Sequence, residues 1–271
     1  MKKTLTLFVV LSLIKANMSW SQSFDSSALI TRFISVCNDY KKKTPLFLRV
    51  GYQSRSNFIT SSEDTTTIQG EFHILANSAY MRFGDIEEIV TDSIALLVSD
   101  RTKKMTLFTH ATPVLEKMKS ALGAPIPVST LDQWNKKFLV SASIAKDMEE
   151  IELSSRSVIG ETGLHRETIK LTYDPATNQP LIVENIKRSL IPLEKNDFDR
   201  LTKELTVKPF LISLNEQYFV VKEQVMSFSY YEMSSKNDSS ELPVRIEARV
   251  AKDKNRYMPV KGYESYVLNQ Q

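Results

Sequence analysis

Glycine is scarce in this chain, at 7 of 271 residues, against a usual share of about 7%. Dinucleotide and phosphate loops use glycine to bring backbone close to a phosphate, and neither glycine-rich fingerprint occurs here. Cysteine is rarer still, with Cys37 alone. One thiol excludes an internal disulfide, so stability must come from a packed core, which a chain of this length can bury. Histidine is limited to His73, His110 and His165. They are too dispersed in sequence for the clustered His and Cys of a structural zinc site.

The nucleophile-elbow pattern G-x-S-x-G is absent; Ser155 and Ser157 lie near Gly160 and Gly163 without that spacing. Glu87-Glu88 and Glu149-Glu150 are paired acids, but neighbours on a strand point to opposite faces. They read as exposed strand charges, or one of them as a turn contact, rather than as an acid–base couple. No catalytic residue, metal ligand or cofactor is assigned, and the chain reads as a non-enzyme. A secreted hydrolase would need a Ser or Cys, a His and an acid brought together by the fold.

An excess of one charge is also missing. The whole chain has 35 basic and 32 acidic residues, net +3. The first residues take Lys2, Lys3 and Lys15 and no acid, so the remainder balances at 32 of each sign. A nucleic-acid partner loses its electrostatic support. Lys41-Lys42-Lys43 reads as a solvated helix end.

The amino terminus has the parts of a secretory signal. Lys2 and Lys3 precede the uncharged stretch Thr4 to Ile14, and Ser19 and Ser21 suit a cut after Ser21. The apolar run falls short of the about 20 residues a spanning helix needs. An uncleaved anchor is the alternative. No cysteine stands at the cut to carry a lipid. Residues 1–21 are thus expected to be a leader and 22–271 a single soluble domain, working in the periplasm or outside the cell.

What the mature chain does have is short-range periodicity. Asp25 caps a helix whose apolar face is Leu29, Ile30, Phe33, Val36, Cys37 and Tyr40, with Phe24 and Leu29 as a staple. This makes Cys37 a small buried residue. Pro45 ends the helix, and Leu46 to Tyr52 opens a strand. Thr65 to Leu75, Ala79 to Phe83, Ile86 to Thr91, Ile94 to Ser99 and Lys104 to Thr109 follow as strands between tight polar turns, an antiparallel meander. Within it His73 alternates with Phe72 and Ile74 and so faces solvent. A helix capped at Thr112 and ended by Gly123 carries Val114, Leu115, Met118 and Leu122. Pro125 and Pro127 break the chain. A second helix, with Thr130 and Gln133 as a capping box, sets Leu131, Trp134 and Phe138 on one face. Glu149 to Arg156, His165 to Tyr173 and Pro180 to Lys187 are extended, the last two joined by a turn at Asp174 to Asn178. A brief helix follows Asn196. Tyr218 to Tyr231, Leu242 to Val250 and Tyr257 to Leu268 finish as strands, with Ser234 to Ser240 a polar loop.

Gly70-Glu71-Phe72, Tyr80-Met81-Arg82-Phe83, Glu88-Ile89-Val90-Thr91-Asp92, Leu96-Leu97-Val98-Ser99-Asp100 and Lys103-Lys104-Met105-Thr106-Leu107 stand in sequence along the meander. This segment resembles the periplasmic lipoprotein-carrier family and its outer-membrane lipoprotein-sorting relatives. Ile169 to Val183, turning at Tyr173-Asp174-Pro175, is similar to that family's later hairpin. Ser93 departs from the usual turn glycine, Leu97 from a common Trp, and the last third is longer. The resemblance implies a mainly β fold with α: a curved antiparallel half-barrel covered by short helices.

It also implies a hydrophobic ligand, a lipid or the acyl chains of a lipoprotein, carried in an apolar cavity without a cofactor. Phe83, Leu97, Val114, Leu115, Met118, Leu122, Trp134 and Phe138 are the expected lining. Two readings of that apolar surface stand side by side: a loosely packed lid over a cavity, or an ordinary filled core. In the second the protein is a non-catalytic envelope scaffold that holds other envelope proteins on its convex face or sheet edge. The chain is expected to be a monomer.

Overall fold

The computed structural model describes residues 25–121, 127, 130–145, 147–204, 206–235, 241–254 and 256–271. The expected leader, Phe24 of the staple, Leu122, Gly123, Pro125 and most of the 234–240 loop lie outside these.

The chain opens with α1 (Ser26–Asp39). Asp25 Oδ1 accepts from the Ser27 backbone N–H at 3.0 Å, satisfying one free donor of the first turn. β1 (Leu46–Ser56) then begins the sheet. A meander follows: β2 (Thr67–Ile74), β3 (Ala79–Phe83), β4 (Ile86–Val90), β5 (Ala95–Ser99) and β6 (Lys104–Phe108). Two helices interrupt the strands, α2 (Thr112–Ala121) and α3 (Leu131–Lys137). β7 (Phe138–Ala145), β8 (Met148–Ser155), β9 (Glu167–Asp174) and β10 (Gln179–Leu193) come next. After α4 (Lys195–Leu201) come β11 (Leu211–Leu214) and the long β12 (Gln217–Ser234). A terminal segment holds β13 (Val250–Asp253), β14 (Arg256–Pro259) and β15 (Val267–Gln270).

All strands but β13 and β14, which pair with each other in a separate two-stranded sheet, form one open sheet ordered β15-β6-β5-β4-β3-β2-β1-β12-β10-β9-β8-β7, with β11 beside β12. Among the described residues every strand pairing is antiparallel except β15 with β6. The fold class is therefore the expected one, a large antiparallel sheet, not closed, with few helices. The meander arises because each short connection returns a strand beside its predecessor, while β1 joins the two halves by pairing with both β2 and β12.

Each face of the sheet is covered differently. On the concave face, Leu115 and Met118 of α2 pack on Leu46, Leu48, Phe72 and Ile74. Ile30, Phe33 and Val36 of α1, with Leu131 and Trp134 of α3, pack on Phe138, Ile151, Leu153 and Leu171. On the convex face, Ile246, Val250 and Tyr266 of the terminal segment lie over Tyr80, Ile89, Leu96, Val98, Met105 and Leu107. One carboxylate is buried there: Glu87 is 4% exposed. Arg249 binds it in two places, Nε to Oε2 at 2.7 Å and Nη2 to Oε1 at 3.0 Å, and the Tyr80 hydroxyl donates to Oε1 at 3.2 Å.

Several expectations are corrected. Leu242 to Val250 is not a strand but an irregular run with a 3-10 turn at Ile246–Ala248. Tyr257 to Leu268 divides into β14, turns and β15. Apolar residues of this segment pack onto the sheet face through their side chains, so burial alone does not make the run a strand. Thr130 makes no side-chain cap bond; its hydroxyl donates to the Pro127 carbonyl instead. Thr112 lies inside α2, whose first backbone acceptor is Ala111. Phe138 starts β7 rather than ending a helix. Glu87 is an ion-paired core residue, not an exposed strand charge. His73 is half-buried, 2.7 Å from Glu71 Oε1 and stacked near Phe47.

Candidate functional site

The concave face follows from strand parity. In β1, Leu46, Leu48, Val50, Tyr52 and Ser54 face inward, and the registers extend this set across the sheet. Ile68 lies opposite Tyr52, Tyr52 opposite Phe228, and Phe228 opposite Val183. The next row is Ser54, Met226, Asn185 and Ile169. The row beyond it is Ser56, Gln224, Lys187 and Glu167.

The expected lining residues divide between filled cores. Leu115 is 7% exposed and Met118 1%, both inside the core under α2, with Phe83 and Val114 packed at its edge. Phe138, at 2%, belongs to the core under α1 and α3, with Trp134 at its margin. The structure brings four of these residues together in one place and two in another. Leu97 is half-buried on β5, in register with Glu88 and Thr106. Leu122 lies outside the described residues.

The row that stays open was not among them. Phe228 is 39% exposed and stacks at 4.9 Å on the half-buried Tyr52. Ile68, Met226 and Val183 beside them are half-buried. α1 and α2 cover the sheet on one side of this row. On the other, α4 and its flank cover Val220, Ile191 and Leu211. Beside the row, Gly70 lets the Phe83 ring pack closely on β2: a Cβ there would stand 2.6 Å from that ring and 2.9 Å from Val50. The sequence did contain a signal for this row. In Met226-Ser227-Phe228-Ser229-Tyr230, large side chains alternate with serines on one long strand.

Charge changes along the same face. Past Gln224 and Lys187 lies a cleft of about 610 Å³ lined by Arg166, Glu167, Lys187, Arg188, Ser189 and Lys222. On the other side of the row, Glu88 is half-buried among concave residues, and burial raises its carboxyl above the ordinary 4.5 while Lys117 pulls the other way. Among the described residues, no three His, Cys, Asp or Glu side chains are grouped as a metal site would require. His165 Nδ1 lies 2.6 Å from the Ser155 carbonyl oxygen.

Two solved structures are similar to this chain at low scores. A conserved protein from Thermus thermophilus is 10% identical, with 89% of this chain and 99% of that chain covered at a TM-score of 0.34. A LolA superfamily protein from Nitrosomonas europaea is 5% identical, with 82% and 96% covered at a TM-score of 0.26. No family model matches the chain, and no curated protein matches it. Among the described residues no helix is long and apolar enough to cross a membrane.

Proposed function

We propose that this protein is a non-catalytic, exported carrier of a hydrophobic group, a lipid or the acyl chains of a lipoprotein, working in the periplasm. One observation carries the reading: the half-exposed row Ile68, Tyr52, Phe228 and Val183, with Met226 beside it, on an inward face whose neighbouring stretches α1, α2 and α4 cover. The ligand lies on that row, between the helix-covered cores, not beneath α2.

The physical case is one of magnitude. Each methylene sheltered from water contributes about 0.8 kcal/mol. About ten sheltered methylenes give roughly 8 kcal/mol, and association entropy takes back several of these. A single chain is therefore held reversibly, which suits a carrier that must also release. Met226 and the aromatic pair add adaptable contact area for chains of differing length. The N-terminal leader pattern supports export, and the net neutrality of the remainder disfavours nucleic acid.

The test is a displacement assay with a fluorescent long-chain fatty acid on delipidated protein, run beside native mass spectrometry. Phe228→Glu places a charge in the middle of the row and should weaken binding at least tenfold while leaving the fold intact by circular dichroism. Absence of binding by the wild-type protein, or binding unchanged in the variant, would sink the proposal. In that case the filled cores favour the scaffold reading, with partners held on the convex face.

A further inference from the structure

The concave face ends in a charged cleft that the carriage of a bare hydrocarbon does not explain. Four cations line it, Arg166, Lys187, Arg188 and Lys222, against one acid, Glu167. Three of these five groups are already neutralised from outside the cleft or at its wall. Lys137 Nζ holds Glu167 at 2.6 Å. Arg188 Nε holds Glu223 at 2.7 Å. Lys222 Nζ holds Asp64 at 2.8 Å. Arg166 and Lys187 are exposed, and neither has a side-chain ion pair among the described residues. The cleft therefore has two unmatched positive charges.

Its position matters as much as its charge. Lys187 pairs across the sheet with Gln224, one inward row past Asn185 and Met226, which in turn adjoin the Phe228 and Val183 row. Successive inward rows on a strand are about 7 Å apart, so a chain lying on Phe228 brings its end group to Lys187. Asn185, at the step between the two regions, keeps its side-chain oxygen buried without a hydrogen-bond partner. That oxygen is an acceptor and calls for a donor, so it is no partner for an anion, and the attraction for negative charge comes from Lys187 and Arg166 alone.

We infer that the cleft at Lys187 and Arg166 is a subsite for an anionic headgroup, phosphate or carboxylate, of an amphiphile whose chain lies on the Tyr52–Phe228 row. This deepens the carriage reading and rests on it. The two cations select the ligand's charge, and the apolar row binds its chain.

Isothermal titration calorimetry with monomeric lysolipids of one chain length tests it. Lysophosphatidylglycerol, with its net negative headgroup, should bind about tenfold more tightly than zwitterionic lysophosphatidylcholine at low salt. That preference should fade by 0.5 M salt, at roughly which concentration such charges are screened within a few ångströms. Lys187→Gln/Arg166→Gln should abolish the preference and leave the phosphatidylcholine affinity as it was. Both lipids binding the wild type equally, or the preference surviving in the double variant, would overturn the headgroup subsite while leaving carriage standing. Neither lipid binding would remove both. Inorganic phosphate binding as tightly as the lysolipid would assign the cleft to the free ion and overturn the inference.

Discussion

Removing the Arg249 side chain should loosen the terminal segment from the convex face. Arg249→Ala deletes both bonds to Glu87 and leaves a carboxylate that is 4% exposed with only the Tyr80 hydroxyl to satisfy it. Breaking one side of a buried pair costs about 3–5 kcal/mol, because the surviving charge has lost its partner and not regained water. The Arg249 side chain is 16% exposed, so water can reach the gap it leaves, and the lower end, about 3 kcal/mol, is expected. At about 2–4 °C per kcal/mol in a chain of this size, the thermal midpoint should fall by about 6–12 °C. Urea denaturation gives the energy, and hydrogen exchange locates it: amides of residues 241–271 should lose protection before those of β1 and β12. Tyr80→Phe/Glu87→Leu/Arg249→Met, which removes the whole polar cluster, should recover most of the loss. An Arg249→Ala protein within 1 kcal/mol of wild type, or one losing protection uniformly, would refute the idea that this cluster fastens the segment.

Three further outcomes follow from the same reasoning. Met118→Ala should destabilise by about 2–4 kcal/mol in urea titration and leave acyl-chain affinity unchanged, because Met118 is filled into the core; a selective loss of affinity would contradict its placement. The Lys222 ammonium and the Thr60 and Ser61 backbone N–H groups hold the Asp64 carboxyl well below the ordinary 3.8. A depressed carboxyl stabilises above the unfolded value and loses that contribution as pH falls towards the folded one. The midpoint difference between wild type and Asp64→Asn should therefore be constant from pH 7 to about pH 5 and narrow steadily below about pH 4; a difference independent of pH down to pH 2 would contradict this. Burial pushes the Cys37 thiol up to about 12, so at pH 8 its reaction with a thiol reagent should be roughly a thousandfold slower folded than in denaturant, measured by absorbance; similar rates would place the sulfur in solvent.

The parts that were legible in the sequence are those fixed by neighbours in the chain. Asp25 caps α1 because its carboxylate needs only the next turn, and β2 to β6 alternate with polar turns that specify each reversal locally. What could not be read depends on where distant pieces come to rest. Phe138 continues the spacing of Leu131 and Trp134, so periodicity carries the helix one residue too far, while the pairing of β7 with β8 ends it. Ile246 and Tyr266 look like strand residues because they are apolar, yet they serve as side-chain anchors on a sheet built by another part of the chain. Glu87 seems an ordinary surface acid until Arg249, 162 residues later, arrives opposite it. For the site, the sequence identifies which residues could meet a hydrocarbon but not which of them the helices leave bare. Leu115 and Met118 were reasonable candidates for that reason, and Phe228 was the residue left exposed.

The two ends of the sheet are unequal. At one margin β15, four residues long, lies parallel against β6. At the other, β7 runs for eight residues with no charge and no proline, with Ile144 72% exposed and Leu139 45% exposed. An unguarded margin of this kind is a template for another strand. Two molecules meeting there edge to edge about a twofold axis would each consume their longer margin and present only the short ones outward. Self-association by this route would thus end at a pair, and fibrous growth would have no next step.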